Sequence, residues 1–184
     1  MKHHRVTLAA IVAVTMLTAS CAAESPSTPT NSRTTVASPP KASTSDVSAV
    51  RSGGVGHLAD VRLDPQDGYD RLTFHFTDQV PGYAIGYRPL PAQADASGAE
   101  IPLPGAGAML NVALTPATSQ GWSAGERTYS GPPTVAANTA EVTEVKAAGD
   151  FEAVLTWVVG VRAKVPFRVA AFDKPPTLVI DILH

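Results

Sequence analysis

The sequence predicts an all-β protein, a single β-sandwich carried behind a signal peptide and a disordered Ser/Thr/Pro tether. Three observations carry that prediction. Short runs of alternating apolar and polar residues recur across the C-terminal two-thirds of the chain, the period of half-buried strands. Sixteen prolines and 14 glycines punctuate the chain and disfavour helices. No intervening stretch shows an apolar period of 3.6 residues, so several short strands with Gly/Pro turns point to a sandwich or open barrel.

The chain opens with a positive start, Lys2 and Arg5, followed by an apolar run from Val6 to Leu17. Twelve residues are too few for a membrane span, which needs roughly 20. They suit the apolar region of a secretory signal. Thr18, Ala19 and Ser20 then precede Cys21, the only cysteine. A lone cysteine cannot form an internal disulfide or a thiolate metal site. Small residues before a cysteine resemble the lipobox of bacterial lipoproteins, although Leu17 stands four residues before Cys21 and the usual distance is three. The resemblance implies cleavage after residue 20 and lipidation of Cys21. The plainer alternative is a secretory signal with an incidental cysteine. Two acyl chains would anchor stably, since each buried CH₂ contributes about 0.8 kcal/mol.

From Ala22 to Ser52, 17 of 31 residues are Ser, Thr or Pro, with no aromatics. Such a segment buries too little apolar surface to offset its ordering entropy. The expected organisation is therefore a signal peptide over 1–20, a lipidated cysteine and disordered linker over 21–54, and one domain over 55–184. A flexible linker of this length would span on the order of 30 Å. The domain carries nine basic and 14 acidic residues, a net charge of −5. That balance argues against nucleic acid as a partner.

Within the domain, strands are expected at 57–63, 71–77, 83–87, 109–114, 141–146, 151–159, 167–172 and 177–183. In RLTFHFT, Leu72, Phe74 and Phe76 take one face and Arg71, Thr73, His75 and Thr77 the other. Pro81-Gly82 supplies a turn. FEAVLTWVV reads as one central strand starting at Phe151. The Pro/Ala/Gly-rich stretch 89–107 reads as a surface excursion with one short strand at most. The last two strands, separated by Asp173-Lys174-Pro175-Pro176, are expected to pair antiparallel. Placing Phe172 opposite Thr177 sets Ala171 against Leu178, Val169 against Ile180, and Arg168 against Asp181. Opposite charges across strands contribute roughly 0.2 to 1 kcal/mol.

Catalytic signatures are missing. There is no G-x-S-x-G, H-E-x-x-H or glycine-rich phosphate loop. His57, His75 and His184 sit in no motif. Asp60, Asp64, Asp67 and Asp70 do not match calcium-loop spacing, and Asp67-Gly68 is turn chemistry. No metal site, cofactor or enzymatic activity is expected. The candidate ligand-binding face is the donor stripe Arg71, Thr73 and His75, set beside the small residues Ala84 and Gly86. Its alternative is an ordinary solvated strand face. Trp122, in SQGWSAGERTY, is the tryptophan suited to a surface, while Trp157 suits the core.

Three stretches together, VRLDPQDGYDRLTFHF, PGYAIGYRP and EVTEVKAAGDFEAVLTWVVGVRAKVPFRVAAFDKPPTLVIDI, resemble the AMIN-like domain of actinobacterial secreted proteins and lipoproteins. The resemblance covers residues 57–184. It implies a β-sandwich module of the cell envelope, and AMIN domains include peptidoglycan binders. No catalytic or ligand motif is carried over with it. The resulting expectation is a non-enzymatic, lipid-anchored protein on the extracytoplasmic face of the cell membrane, partnered by peptidoglycan or an envelope protein. The alternative is a carrier with an apolar small-molecule or lipid pocket between the sheets, lined by Tyr83, Tyr87 and Phe151. A converging Ser–His–acid group would instead indicate a hydrolase.

Overall fold

Thirteen strands make up the fold: β1 (Val47–Ala49), β2 (Gly56–Gln66), β3 (Tyr69–Phe76), β4 (Gly82–Arg88), β5 (Ala92–Gln93), β6 (Glu100–Ile101), β7 (Ala108–Thr115), β8 (Ala117–Thr118), β9 (Thr134–Ala136), β10 (Val142–Phe151), β11 (Val154–Val161), β12 (Phe167–Asp173) and β13 (Pro176–Leu183). The computed structural model describes residues 40–184. The expectations for the signal peptide 1–20, for Cys21 and for most of the linker therefore lie outside the described residues.

One sheet has the order β1-β4-β7-β11-β10-β9, the other β12-β13-β3-β2-β8, and β5-β6 form a separate ribbon. Every pairing is antiparallel except the parallel one that brings Gly56 and His57 alongside Ala117 and Thr118. The alternation read from RLTFHFT holds. Leu72, Phe74 and Phe76 point inward with Leu178, Ile180 and Ile182 of the neighbouring strand. Leu110, Val112, Leu114, Leu155, Trp157 and Val159 face them from the first sheet. Trp157 is a core residue, with its ring edge-on to Phe74 at 6.0 Å. The tight turn between β2 and β3 turns on Gly68, whose φ of 78° lies in the left-handed region.

The C-terminal hairpin takes the expected register in full. Phe172 pairs with Thr177, Ala171 with Leu178, Val169 with Ile180 and Arg168 with Asp181. The hydrophobic pattern and the short connection leave no other register with both faces matched.

Three elements depart from the sequence expectations. First, strand order begins before residue 55. β1 pairs with β4, Ser43 bridges to Phe167, and Arg51 donates to the Val80 carbonyl at 3.1 Å and pairs with Asp173. The stretch has a tether's composition, but an open sheet edge offers backbone partners that need no apolar side chains. Second, 151–159 is not one strand. Phe151 ends β10, Val154 starts β11, and Glu152 and Ala153 turn between them with φ of 51° and 58°. Third, 89–107 contains two short strands. With Leu103, that ribbon closes a second small core over the outer face of the first sheet, built on Ala92, Met109, Ala148 and Val158.

The Glu152-Ala153 turn holds two residues with Cβ atoms in a conformation that suits Asn-Gly. Replacing them together, Glu152→Asn with Ala153→Gly, should raise the unfolding free energy by about 1 kcal/mol. Chemical denaturation of the two proteins measures the gain.

Candidate functional site

The donor stripe expected on β3 lies on the outer face of the second sheet, and much of it is committed to the fold. Arg71 donates to Asp181 through Nε at 2.7 Å and Nη2 at 3.0 Å. Arg168 donates to the same carboxylate at 2.8 Å. Both guanidinium groups stand 5.1 Å from the centre of the Tyr69 ring. Thr73 is almost buried. The His75 imidazole contacts the Thr177 hydroxyl at 3.2 Å. The expected small neighbours are elsewhere: Ala84 and Gly86 belong to β4 of the first sheet, and Asp46 lies against Gly86. Beside Thr73 stands Val179 of β13, and beyond it Ala170 of β12.

Trp122 is not part of that face. It stands on a loop after β8, 69% exposed, with its ring centre 4.0 Å from the His57 imidazole at an angle of 32°. His57 is itself buried. Its Nδ1 meets Asp78 Oδ2 at 2.9 Å, and its backbone N–H donates to Asp78 Oδ1 at 3.1 Å. The parallel pairing of β2 with β8 sets His57 beside Thr118. Gly53 lets Gln79 close in, since a Cβ there would fall 2.2 Å from Gln79 Oε1. The result is a half-open cleft of about 520 Å³ lined by Gly54, Val55, His57, Asp78, Gln79, Thr118, Trp122 and Ala153. Of these residues the sequence singled out Trp122 as a candidate; His57 was noted as outside any motif. The signal that could have found the site is Asp78 shortly after an alternating strand, because such a carboxylate often caps nearby backbone donors.

One carboxylate builds the floor next to this cleft. Asp150 accepts from Thr118 Oγ1 at 2.9 Å, from the Ser119 N–H at 2.9 Å and from Ser119 Oγ at 2.5 Å. The loop beyond doubles back, with Gln120 bridged to Arg127. A second cavity of about 430 Å³ opens on its other side, between β10 and the end of β8. A pocket lined by Tyr83, Tyr87 and Phe151 does not form. Tyr83 and Tyr87 pack against the core, the Tyr87 hydroxyl donates to the Val165 carbonyl at 2.7 Å, and Phe151 is 66% exposed. Ser119 and Thr118 give their hydroxyls to Asp150 while His57 pairs with Asp78, so these groups form no Ser–His–acid relay. The run Asp60, Asp64, Asp67 and Asp70 does not converge either: Asp60 pairs with Arg62 at 2.5 Å, and Asp70 points into the interior.

Asp70 accepts the N–H groups of Ala140, Glu141 and Val142 at 3.3, 2.7 and 2.8 Å. Burial pushes its pKa up, but the Val142 and Glu141 N–H groups outweigh burial and hold it below the ordinary 3.8. Asp181 is lowered in the same way, its burial outweighed by hydrogen bonds from Arg71 and Arg168. For Asp78 the outweighing partner is His57.

Carboxylates with depressed folded pKa values contribute stability that is present above the unfolded pKa and is lost as pH falls through the folded one. Stability should therefore hold from neutral pH to about 4 and fall steeply below. Asp70→Asn and Asp181→Asn should each cost about 2 kcal/mol at pH 7 and flatten that acid limb. Urea denaturation at a series of pH values reads both effects.

The family model that matches the chain is described as the AMIN-like domain, and it covers residues 56–184. No curated protein and no solved structure matches the chain.

Proposed function

Because the chain belongs to the AMIN-like domain family, we propose that it is a non-enzymatic binding module of the cell envelope, anchored by lipid on Cys21 and directed at peptidoglycan. AMIN-like domains are associated with envelope and peptidoglycan binding. The observation that carries the reading is the Trp122 cleft. A sugar ring needs a flat apolar surface for its C–H face and hydrogen-bonding groups at its edge. Trp122 offers the first, held in place by the buried His57 behind it. Asp78 and Gln79 offer the second from the same cleft.

The outer face with Arg71, Thr73 and His75 is the second surface of this proposal. Its ligand-facing groups are His75, Arg62 and the exposed Phe172, which lie around Thr73, Val179 and Ala170 in the strand register. Arg71 serves mainly to hold Asp181, so its removal acts on stability before binding.

The test is retention of the chain by insoluble, purified peptidoglycan. Trp122→Ala should reduce retention about tenfold or more, the loss of one stacked aromatic, with the unfolding transition unchanged. His75→Ala probes the sheet face separately. Retention of Trp122→Ala at the level of the parent would remove the cleft from the proposal, and retention of neither protein would move the partner to an envelope protein.

The anchor is tested on its own. Protein extracted from membranes should begin at Cys21 and carry the mass of a diacylglyceryl group on it, while Cys21→Ala should leave the membrane fraction. An intact N-terminus in the mass spectrum would sink the lipid anchor and leave the cleft untouched.

A further inference from the structure

Trp122 rests on a group that can change its charge. The indole ring centre lies 4.0 Å from that of the His57 imidazole, at 32°, inside the roughly 6 Å at which a cation over a tryptophan face is attracted. On its edge the same imidazole meets Asp78, Nδ1 to Oδ2 at 2.9 Å. Asp78 Oδ1 accepts the His57 backbone N–H at 3.1 Å and the Gln79 backbone N–H at 2.8 Å, so the carboxylate cannot turn away without losing both. A carboxylate only accepts, which makes Nδ1 the protonated nitrogen of the neutral ring. A second proton therefore goes to Nε2. The side chain is 10% exposed and lines the cleft, and the proton reaches it from there.

The other charged groups on the surrounding elements are placed elsewhere. Asp150, behind β8, holds Thr118 and Ser119. On the Trp122 loop, Glu126 accepts the Ser123 N–H at 3.1 Å, and Arg127 follows it, exposed. Arg51, on the chain leading into β2, pairs with Asp173. Further along β2 and β3, Asp60 pairs with Arg62 and His75 meets Thr177. Glu152 is exposed on the turn that brings Ala153 to the cleft. Among the described residues, Asp78 is thus the charge within hydrogen-bond distance of the imidazole. An added proton puts an imidazolium between a carboxylate and an indole face, and both neighbours attract the charged ring more than the neutral one. Beyond the indole the two opposite charges largely cancel. A ligand on the outer face of Trp122 then meets a more firmly held ring and little new charge.

We propose that His57 is a protonation switch on Trp122: the imidazolium clamps the indole, and the neutral ring loosens it. Its consequence for binding rests on the reading of the cleft as a saccharide site. A side chain held still before the ligand arrives has less freedom to lose on stacking. Affinity for an uncharged saccharide therefore rises as pH falls from about 8 to about 5, the window in which an imidazole takes up its proton.

The chain has only two tryptophans, so ¹³C-labelled indole rings of the full chain are readily assigned with Trp122→Phe. Ring C–H order parameters are measured without ligand at about pH 5 and about pH 8, the ends of the imidazole window. Trp122 should be more ordered at the lower pH, and Trp157, in the core, unchanged. His57→Gln should abolish the difference. Asp78→Asn, which keeps a carbonyl oxygen for the two backbone N–H groups, should reduce it and decides the matter if His57→Gln does not fold. Affinity for uncharged N-acetylated chitotriose should be about threefold to tenfold higher at the lower pH, and independent of pH in His57→Gln. The clamp is overturned if Trp122 is equally ordered at both pH values, or if the difference survives undiminished in the variants. Equal chitotriose affinity at the two pH values overturns its control of binding. No chitotriose binding at either pH, with the pH-dependent ordering intact, rejects the saccharide reading and leaves the clamp standing.

Discussion

A carboxylate without solvent exposure decides how the two sheets meet. Asp70 sits at the start of β3 in one sheet and holds the N–H groups that lead into β10 of the other. An isolated buried charge would be costly by far more than a domain's net stability. Three aimed N–H groups offset that cost, and they do so only when Ala140, Glu141 and Val142 are in place. The same corner continues through Glu141, whose carboxylate accepts from the Ala163 N–H at 2.6 Å, and through Arg162, which donates to the Ala140 carbonyl at 2.9 Å. Apolar burial between the sheets supplies most of the stabilisation and is indifferent to small slides. The charged corner is not, so it sets the offset of one sheet on the other.

That offset is felt at the far end of both strands. β3 runs from Asp70 to Phe76 and delivers Asp78 just beyond its end, while β10 runs from Val142 to Asp150 near its own end. Asp78 fixes His57, and Asp150 fixes Thr118 and Ser119. The two candidate cavities are therefore built by carboxylates at the opposite end of the strands from Asp70. A single loop divides them. Trp122 at its tip faces one cavity, while Gln120 and Arg127, bridged to each other, line the other.

The parts of the fold that the sequence made legible are those governed by local pattern. Period-two alternation exposed β3, β4 and β7, and the two charges Arg168 and Asp181 confirmed a register that the hydrophobic pattern had already selected. The hairpin between β10 and β11 was hidden because its turn uses Glu152 and Ala153, residues without a turn signature, at positive φ. β1 was hidden because an edge strand can be held by backbone pairing alone, and Val47-Ser48-Ala49 has no strand-like composition. The site was less legible still. Trp122 was identifiable as a surface aromatic from its loop context, but its partner His57 lies 65 positions away and comes to it through a two-residue parallel pairing. On β3 the alternation placed Arg71, Thr73 and His75 on one face, but their expected neighbours Ala84 and Gly86 belong to the other sheet. Nothing in RLTFHFT tells that Arg71 is already held by a carboxylate 110 residues later.

The early edge strand also bears on how the candidate cleft is built. Between β1 and β2 the chain passes through Gly53, Gly54 and Val55, and the last two line the Trp122 cleft. On one side this short connection is held by β1 on β4 and by Arg51, which reaches both the Val80 carbonyl and Asp173 of the last hairpin. On the other it continues directly into His57. A wall made of Gly54 and Val55 between two fixed points has little freedom left to lose when a ligand settles against it. Lost freedom is one of the main costs of weak surface recognition. Joining the N-terminal segment to the sheet thus pre-organises one side of the cleft, while the other side, Trp122 on its doubled loop, supplies the contact area. A ligand stacked on Trp122 would then gain most of its affinity from a surface that the fold has already ordered.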